Sequence, residues 1–484
     1  MTTLLRPAPS LMHRVRRIHF VGIGGAGMSG IAEVLINLGF EVTGTDMNES
    51  ATLQRLRRLG AGIACGHDAS HLGDADVVVV SGAIPDSNPE IEAAKARRVP
   101  VVPRAEMLGE LMRFRQGIAI AGTHGKTTTT SLVAGILAGA GLDPTFIVGG
   151  LVNAFGSNAR LGEGRYLVAE ADESDGSFLN LQPVISVVTN IDRDHLDAYQ
   201  GSFDRLQKAF LQFLHHLPFF GVAVLCVDDP HVAELVPLVG RNVVTYGFSP
   251  SADVRATDLE QDGRLMRFQL WLPDAEQPLA VSLLQPGRHN VQNALGAAAV
   301  AWELGIAPEQ IVAGLAAFGG IGRRFAPIGE LTIAGNQVLA FEDYGHHPTE
   351  LDAVIRAARA GWPDRRLVLA FQPHRYTRTR DQFDAFARVL CEPDVLVLLD
   401  IYAAGEMPLA GIDADSLSLA IGQREDLSIH RAATVIDVPA VLEDAVQDGD
   451  LLLVMGAGDV GRLAELLSQR FGTDQAKGEG ANDQ

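Results

Sequence analysis

Runs of four to six apolar residues recur along the chain. Most open into a turn of glycines or acids, and stretches with helical spacing lie between them. Arg17-Ile-His-Phe-Val-Gly-Ile-Gly24 is one such run, and Glu41 to Asp46 and Asp76 to Ser81 are two more. Helical patterns from Gly30 to Leu38 and from Thr52 to Leu59 fall between these runs. The same alternation continues with apolar runs at 118–121, 166–170, 184–190 and 222–227, then an Ala-rich helix from Asn290 to Leu304. It resumes at 337–341, 366–371, 395–400 and 450–455. Strands alternating with helices predict parallel sheets covered on both faces, an α/β class. Breaks before Gly117 and at Gly319-Gly-Ile-Gly-Arg-Arg324 divide the chain into three sequential domains, 1–116, 117–321 and 322–484. The first and third are Rossmann-like, and the central one is of the P-loop ATPase type.

Composition narrows the class. A chain of 484 residues is too long for one core. Its 47% hydrophobic and 20% charged residues are ordinary for a soluble globular protein. A net charge of −20 argues against broad attraction to nucleic acid or an anionic membrane. Cys65, Cys226 and Cys391 are far apart without metal-site spacing, as in a reducing compartment. The first sixteen residues hold arginines but no apolar core of a signal peptide, and no run is long enough to span a bilayer. A cytoplasmic protein without membrane insertion is expected, with 473–484 a disordered polar tail. Monomer and homodimer are not distinguished.

The most informative stretch is Gly117 to Thr130. An apolar strand runs into Gly122-Thr123-His124-Gly125-Lys126-Thr127-Thr128, and an Ala/Leu/Gly-rich helix follows. The glycines let backbone N–H groups close around phosphate oxygens, and the helix N-terminus adds partial positive charge. Lys126 is placed for the β- and γ-phosphates of ATP, and Thr127 for Mg²⁺. The spacing departs from the usual P-loop: the first glycine is Gly122, and Ala121 stands where it is expected.

Two segments match G-x-G-x-x-G. Gly22-Ile-Gly24-Gly25-Ala-Gly27 follows a strand, and Asp46 ends the next strand where a ribose-binding carboxylate sits. This predicts a nucleotide or diphosphate site, and the glycines do not say whether the ligand is NAD. Gly456-Ala-Gly458-Asp-Val-Gly461 reads as a tight turn, because too little chain follows for another strand with its acid.

Beyond the P-loop, two strand ends are polar: Glu170-Ala-Asp172-Glu173-Ser-Asp175 and Asn190-Ile-Asp192-Arg-Asp194-His195-Leu-Asp197. In a parallel sheet they share one edge with the P-loop, where carboxylates suit Mg²⁺. Glu170 ends its strand directly and is the first metal ligand expected; His195 lies at the right end of its own strand. Some of Asp172, Glu173 and Asp175 are expected to be no more than solvated loop.

Together these strings, with Gly287-Arg-His-Asn-Val-Gln-Asn293, Gly322-Arg-Arg-Phe325, Asp343-Tyr-Gly-His-His-Pro348 and Gln372-Pro-His-Arg-Tyr-Thr-Arg378, resemble the Mur ligase family over nearly the whole chain. The resemblance implies an ATP-dependent amide-bond ligase of peptidoglycan precursor synthesis. It implies L-alanine joined to the lactyl carboxylate of UDP-N-acetylmuramate through an acyl phosphate, with loss of ADP and phosphate. It reassigns the first glycine motif from NAD to the UDP of the sugar substrate. Gly24, Gly27, Met28 and Ser29 then face the diphosphate, and Asp46 and Ser81 lie in the nucleotide region. It further implies Mg²⁺ on Thr127, Glu170 and His195, Asn293 near the adenine, and Arg324 reaching the ATP phosphates. Lys126, Glu170, His195 and Arg324 form the catalytic set. Tyr344, His346, His374, Arg375 and Arg378 match the amino-acid site, where a guanidinium suits an α-carboxylate. The pair His346-His347 lacks the partners of a zinc site. Some relatives carry a carbamylated lysine after the middle-domain His; here Phe210 falls at that position and Lys208 is out of register, so no carbamate is expected. Glu342 stands where Asp is expected.

Three rival readings remain. A related ligase would attach a whole peptide or a later amino acid, and the third domain decides between them. An NAD-dependent oxidoreductase would leave Lys126, Glu170 and His195 unexplained. A nucleotide-gated regulatory protein would leave the Arg/His set at 374–378 without purpose.

Overall fold

The computed structural model describes residue 12 and residues 14–273, 275–422 and 427–472. The tail expected at 473–484 lies outside them. The chain forms two compact units. One holds the described residues up to 258 with 268–282 and 292–319; the other holds 259–267, 283–291 and the described residues from 320 onward.

The first unit opens with β1 (Arg17–Val21), β2 (Glu41–Asp46), β3 (Gly62–Cys65), β4 (Val77–Val80) and β5 (Val101–Pro103). They form a five-stranded sheet in the order β3-β2-β1-β4-β5, parallel throughout. The apolar runs of β1 and β4 occupy its middle, which is why they lack polar alternation.

A second, ten-stranded sheet is built from β6 (Gln116–Ala121), β7 (Thr145–Val152), β8 (Ser157–Arg160), β9 (Tyr166–Glu170), β10 (Ile185–Val188), β11 (Val222–Cys226), β12 (Asn242–Gly247), β13 (Val254–Asp262), β14 (Leu265–Trp271) and β15 (Leu279–Leu283). Its order is β15-β14-β13-β12-β11-β10-β6-β9-β7-β8. β6 therefore lies between β10 and β9, parallel to both. This register brings the polar ends of β9 and β10 to either side of the loop that follows β6. The two sheets are packed together: at Gly30, in helix Ala26–Asn37, a Cβ would lie 3.1 Å from both Ile147 and Ala159. Arg55 also donates to Ser157 Oγ and Asn158 Oδ1 at 2.6 and 2.9 Å.

The second unit holds β16 (Ala326–Ile333), β17 (Asn336–Asp343), β18 (Leu367–Phe371), β19 (Val395–Leu399), β20 (Ser428–Ala432) and β21 (Leu451–Met455), ordered β16-β17-β21-β18-β19-β20. All pairs are parallel except the β16–β17 hairpin. The apolar runs of β18, β19 and β21 are fully buried.

Candidate functional site

The loop after β6 is shaped by its glycines. Gly122 (φ 128°) and Gly125 (φ 82°) have backbones that side chains disfavour, and Gly125 caps helix Lys126–Gly139. A Cβ at Gly122 would also strike Thr189, and one at Gly125 would strike the amide of Asn293. Asn293 is thus set against the last loop glycine.

The end of β10 braces this loop. Thr189 Oγ1 and Asn190 Nδ2 donate to the His124 carbonyl at 2.6 and 3.0 Å, and His124 N–H donates to Asn190 Oδ1 at 2.8 Å. Asp192 N–H donates to Thr123 Oγ1 at 2.9 Å, and His124 Nε2 lies 3.0 Å from Asp192 Oδ2. The N–H groups of Lys126, Thr127 and Thr128, in the first helical turn, have no acceptor within the helix, a site of partial positive charge that suits an anion.

Lys126 Nζ donates to the carbonyls of Gly122 (2.7 Å) and Thr123 (3.2 Å) and to both oxygens of Glu173 (3.0 and 2.8 Å). Glu173 is buried at 1% exposure, so it is no solvated loop residue but the counter-ion of the loop lysine. Burial works to lower the Lys126 pKa, but Glu173, Asp172 and Glu170 together hold it above its ordinary value. Burial raises that of Glu173 against the pull of Lys126. Tyr199 Oη donates to the Glu173 carbonyl at 2.5 Å and fixes that backbone.

Glu170 ends β9 and His195 lies in the loop after β10, the two strands that flank β6. Glu170 Oε1 accepts from Gly149 N–H at 2.8 Å, and a Cβ at Gly149 would lie 2.9 Å from Oε2. His195 has a left-handed backbone (φ 55°), uncommon for a residue with a side chain, and its Nε2 lies 3.3 Å from Asp194 Oδ2. Phe210 is buried against Phe178, and Lys208 is exposed.

At the N-terminal sheet, Gly24 N–H donates to Asp46 Oδ2 at 2.8 Å. The carboxylate at the end of β2 is therefore turned onto the glycine loop itself. Helix Ala26–Asn37 begins without a side-chain cap and without an acid in its first turn. The side chains of Met28 and Ser29 are buried, and Ser29 N–H is bonded to the Gly25 carbonyl at 2.8 Å. Met28 has only backbone to offer a ligand, because its side chain belongs to the core. Ser81 ends β4 in a half-buried position.

In the second unit the amino-acid candidates gather at the C-terminal ends of β17 and β18. The His346 ring lies 5.4 Å from Tyr344 and 5.7 Å from His374. Arg378, buried at 8% exposure, approaches His374 Nδ1 at 3.4 Å, and Arg375 is exposed with φ 71°. Arg323 and Arg324 lie over the Tyr344 ring at 4.8 and 5.3 Å, and Arg324 is 3.9 Å from Glu350. Burial, helped by Arg378, pulls the His346 and His374 pKa values down to about 4; Glu350 opposes this at His346, and Arg375 adds to it at His374. Both rings are neutral at pH 7. Tyr402 stacks on His374 at 5.5 Å, a partner that its isolated place after β19 did not signal.

The second glycine motif is filled with protein. Cβ atoms at Gly458 and Gly461 would lie 2.6 Å from Gln372 Oε1 and from Arg323 Cζ. A short 3-10 turn, Asp459–Arg462, follows and leads into helix Leu463–Phe471.

Three family models match in sequence: the Mur ligase family catalytic domain over 17–116, the Mur ligase middle domain over 120–301, and the Mur ligase glutamate ligase domain over 323–458. The chain is 55% identical to a UDP-N-acetylmuramate–L-alanine ligase of Xanthomonas euvesicatoria pv. vesicatoria over 477 residues, covering 98% of this chain and 99% of the relative. Among solved structures it is similar to a UDP-N-acetylmuramate-alanine ligase from Thermotoga maritima, with TM-score 0.78, 28% identity and coverage of 95% and 99%. A murein peptide ligase from Psychrobacter arcticus follows with TM-score 0.69, 27% identity and the same coverage. With all three of its domain models in order and a close relative along its length, the chain belongs to the Mur ligase family.

Proposed function

We propose that this enzyme joins L-alanine to the lactyl carboxylate of UDP-N-acetylmuramate with cleavage of ATP to ADP and phosphate, a step of peptidoglycan precursor synthesis. The 55% identity to a relative named for this reaction supports the substrates. The observation that carries the chemistry is the buried Lys126 at the mouth of the glycine loop, flanked by the ends of β9 and β10.

A carboxylate is a poor acyl donor, because its leaving group would be an oxide dianion. Attack of a carboxylate oxygen on the γ-phosphorus forms an acyl phosphate and releases ADP. The amine of alanine then adds to the carbonyl carbon, and the tetrahedral adduct collapses with loss of phosphate. Two anions must meet in the first step, so cations have to stand between them. Lys126 and the N–H groups of Lys126, Thr127 and Thr128 bind the phosphates. The hydroxyl of Thr127 at the helix start after β6 and the carboxylate of Glu170 at the end of β9 fit an ion that prefers oxygen donors, and His195, beyond β10, would add a nitrogen. They would hold Mg²⁺, which neutralises phosphate charge when bound. Arg324 adds a further cation for the phosphates, and Asn293 helps seat the nucleotide. Gly24, Gly27, the backbone of Met28 and Ser29, Asp46 and Ser81 hold the sugar nucleotide. Arg375 and Arg378 bind the α-carboxylate of alanine. His346 and His374, being neutral, do not repel its ammonium group, and Tyr344 lines the same pocket.

Phosphate release tests this reading. It is expected with ATP, UDP-N-acetylmuramate and L-alanine together, and not when any one is omitted. Turnover with the L-alanyl-γ-D-glutamyl-meso-diaminopimelate tripeptide alone would assign the chain to peptide recycling instead.

A further inference from the structure

Arg104 has no role in the chemistry above, yet its guanidinium lies on the first turn of helix Ala26–Asn37. A Cβ at Gly27 would stand 2.5 Å from Arg104 Nη1 and 3.2 Å from its Cδ. Gly27 is therefore glycine to make room for this side chain. The placement is electrostatically unfavourable as it stands, since a helix N-terminus repels a cation. Arg104 is moreover the first residue of its own helix, Arg104–Met112. Its ion-pair partner is Asp172 Oδ2 at 3.4 Å, longer than a strong charge-assisted contact, and Asp172 is 37% exposed. Such a pair holds little energy and is easily exchanged. The other carboxylate at the loop, Asp46, is already turned onto Gly24. Nearby Arg55 is committed to Glu33 at 2.8 Å and to Ser157 and Asn158. A weakly paired guanidinium laid against the first turn of helix Ala26–Asn37, beside the glycine loop, is placed for an anion there.

We infer that Arg104 is a diphosphate-binding residue of the sugar-nucleotide site, parked on Asp172 until the pyrophosphate of the substrate takes it over. The inference rests on the reading of the N-terminal loop as the UDP site. It extends that reading to a side chain on a different helix, some eighty positions along the chain.

The test uses the full-length enzyme and UDP as the calorimetric probe. Arg104→Gln is expected to weaken UDP binding by about tenfold to a hundredfold, the range of a lost hydrogen bond to a charged group. It should raise KM for the UDP-sugar similarly while leaving KM for ATP within about twofold. Arg104→Lys should recover part of the loss, because a point charge replaces the fork incompletely. Wild-type affinity for UDP in Arg104→Gln, with ATP binding intact, would overturn the inference. If the wild-type enzyme itself fails to bind UDP, the fault lies in the sugar-nucleotide reading.

Discussion

The first unit contains two glycine loops built on one plan: a central parallel strand, a turn that needs glycine, and a helix N-terminus. What fills them differs. At Gly122–Lys126 the lysine is inside the loop, bonded to two loop carbonyls and to buried Glu173, with Glu170 ending one neighbouring strand and His195 in the loop beyond the other. At Gly22–Gly27 no cation belongs to the loop; Asp46 comes from the next strand and Arg104 from a distant helix. A binding site needs only a place for charge. A transfer site needs a cation fixed where charge moves, with oxygens set for a metal. In the function proposed above the same backbone motif does two jobs, and the side chains delivered around each loop decide which.

The largest effect that would break this distinction is on Lys126. Lys126→Ala should lower kcat by about a thousandfold or more while leaving the UDP dissociation constant within about twofold. Equal loss of both, measured by phosphate release and calorimetry, would mean that the two nucleotide sites have been exchanged. Glu170→Gln should lower kcat by about a hundredfold at fixed Mg²⁺, with partial recovery as Mg²⁺ is raised. A loss insensitive to Mg²⁺ would remove Glu170 from the ligand set. Asp46→Asn should act on the other loop alone, weakening UDP binding about tenfold with the ATP KM unchanged.

The smallest effect concerns pH and the second unit. His346 and His374 titrate near 4 in the folded protein and near 6.5 when unfolded. Between those values the unfolded chain binds more protons, so their contribution to stability is present above about pH 6.5 and is lost as pH falls toward 4. Replacing both with glutamine should flatten the decline of Tm across that window. An unchanged slope would show that these rings are not held neutral by burial.

Much of this was legible in the chain because it is local. The uninterrupted valines of β4 and the run from Tyr166 to Glu170 could only be buried parallel strands, and the glycines at 122 and 125 announced their turn. Glu173 was not legible: it sits among other acids, and only the fold shows that it meets Lys126, 47 positions away, in the interior. Arg104 and Tyr402 were hidden for the same reason, since each is an ordinary residue until another strand or helix is laid beside it. At Met28 the chain alone did not separate backbone from side chain: the side chain belongs to the core, which leaves the backbone for the loop.

The central claim is that the γ-phosphoryl group passes to the sugar's carboxylate before the amide forms. Turnover with UDP-N-acetylmuramate labelled with ¹⁸O in its lactyl carboxyl group tests it directly. The released inorganic phosphate should carry one ¹⁸O, taken from the carboxylate when the acyl phosphate collapses. Phosphate free of label, with amide still formed, would contradict it.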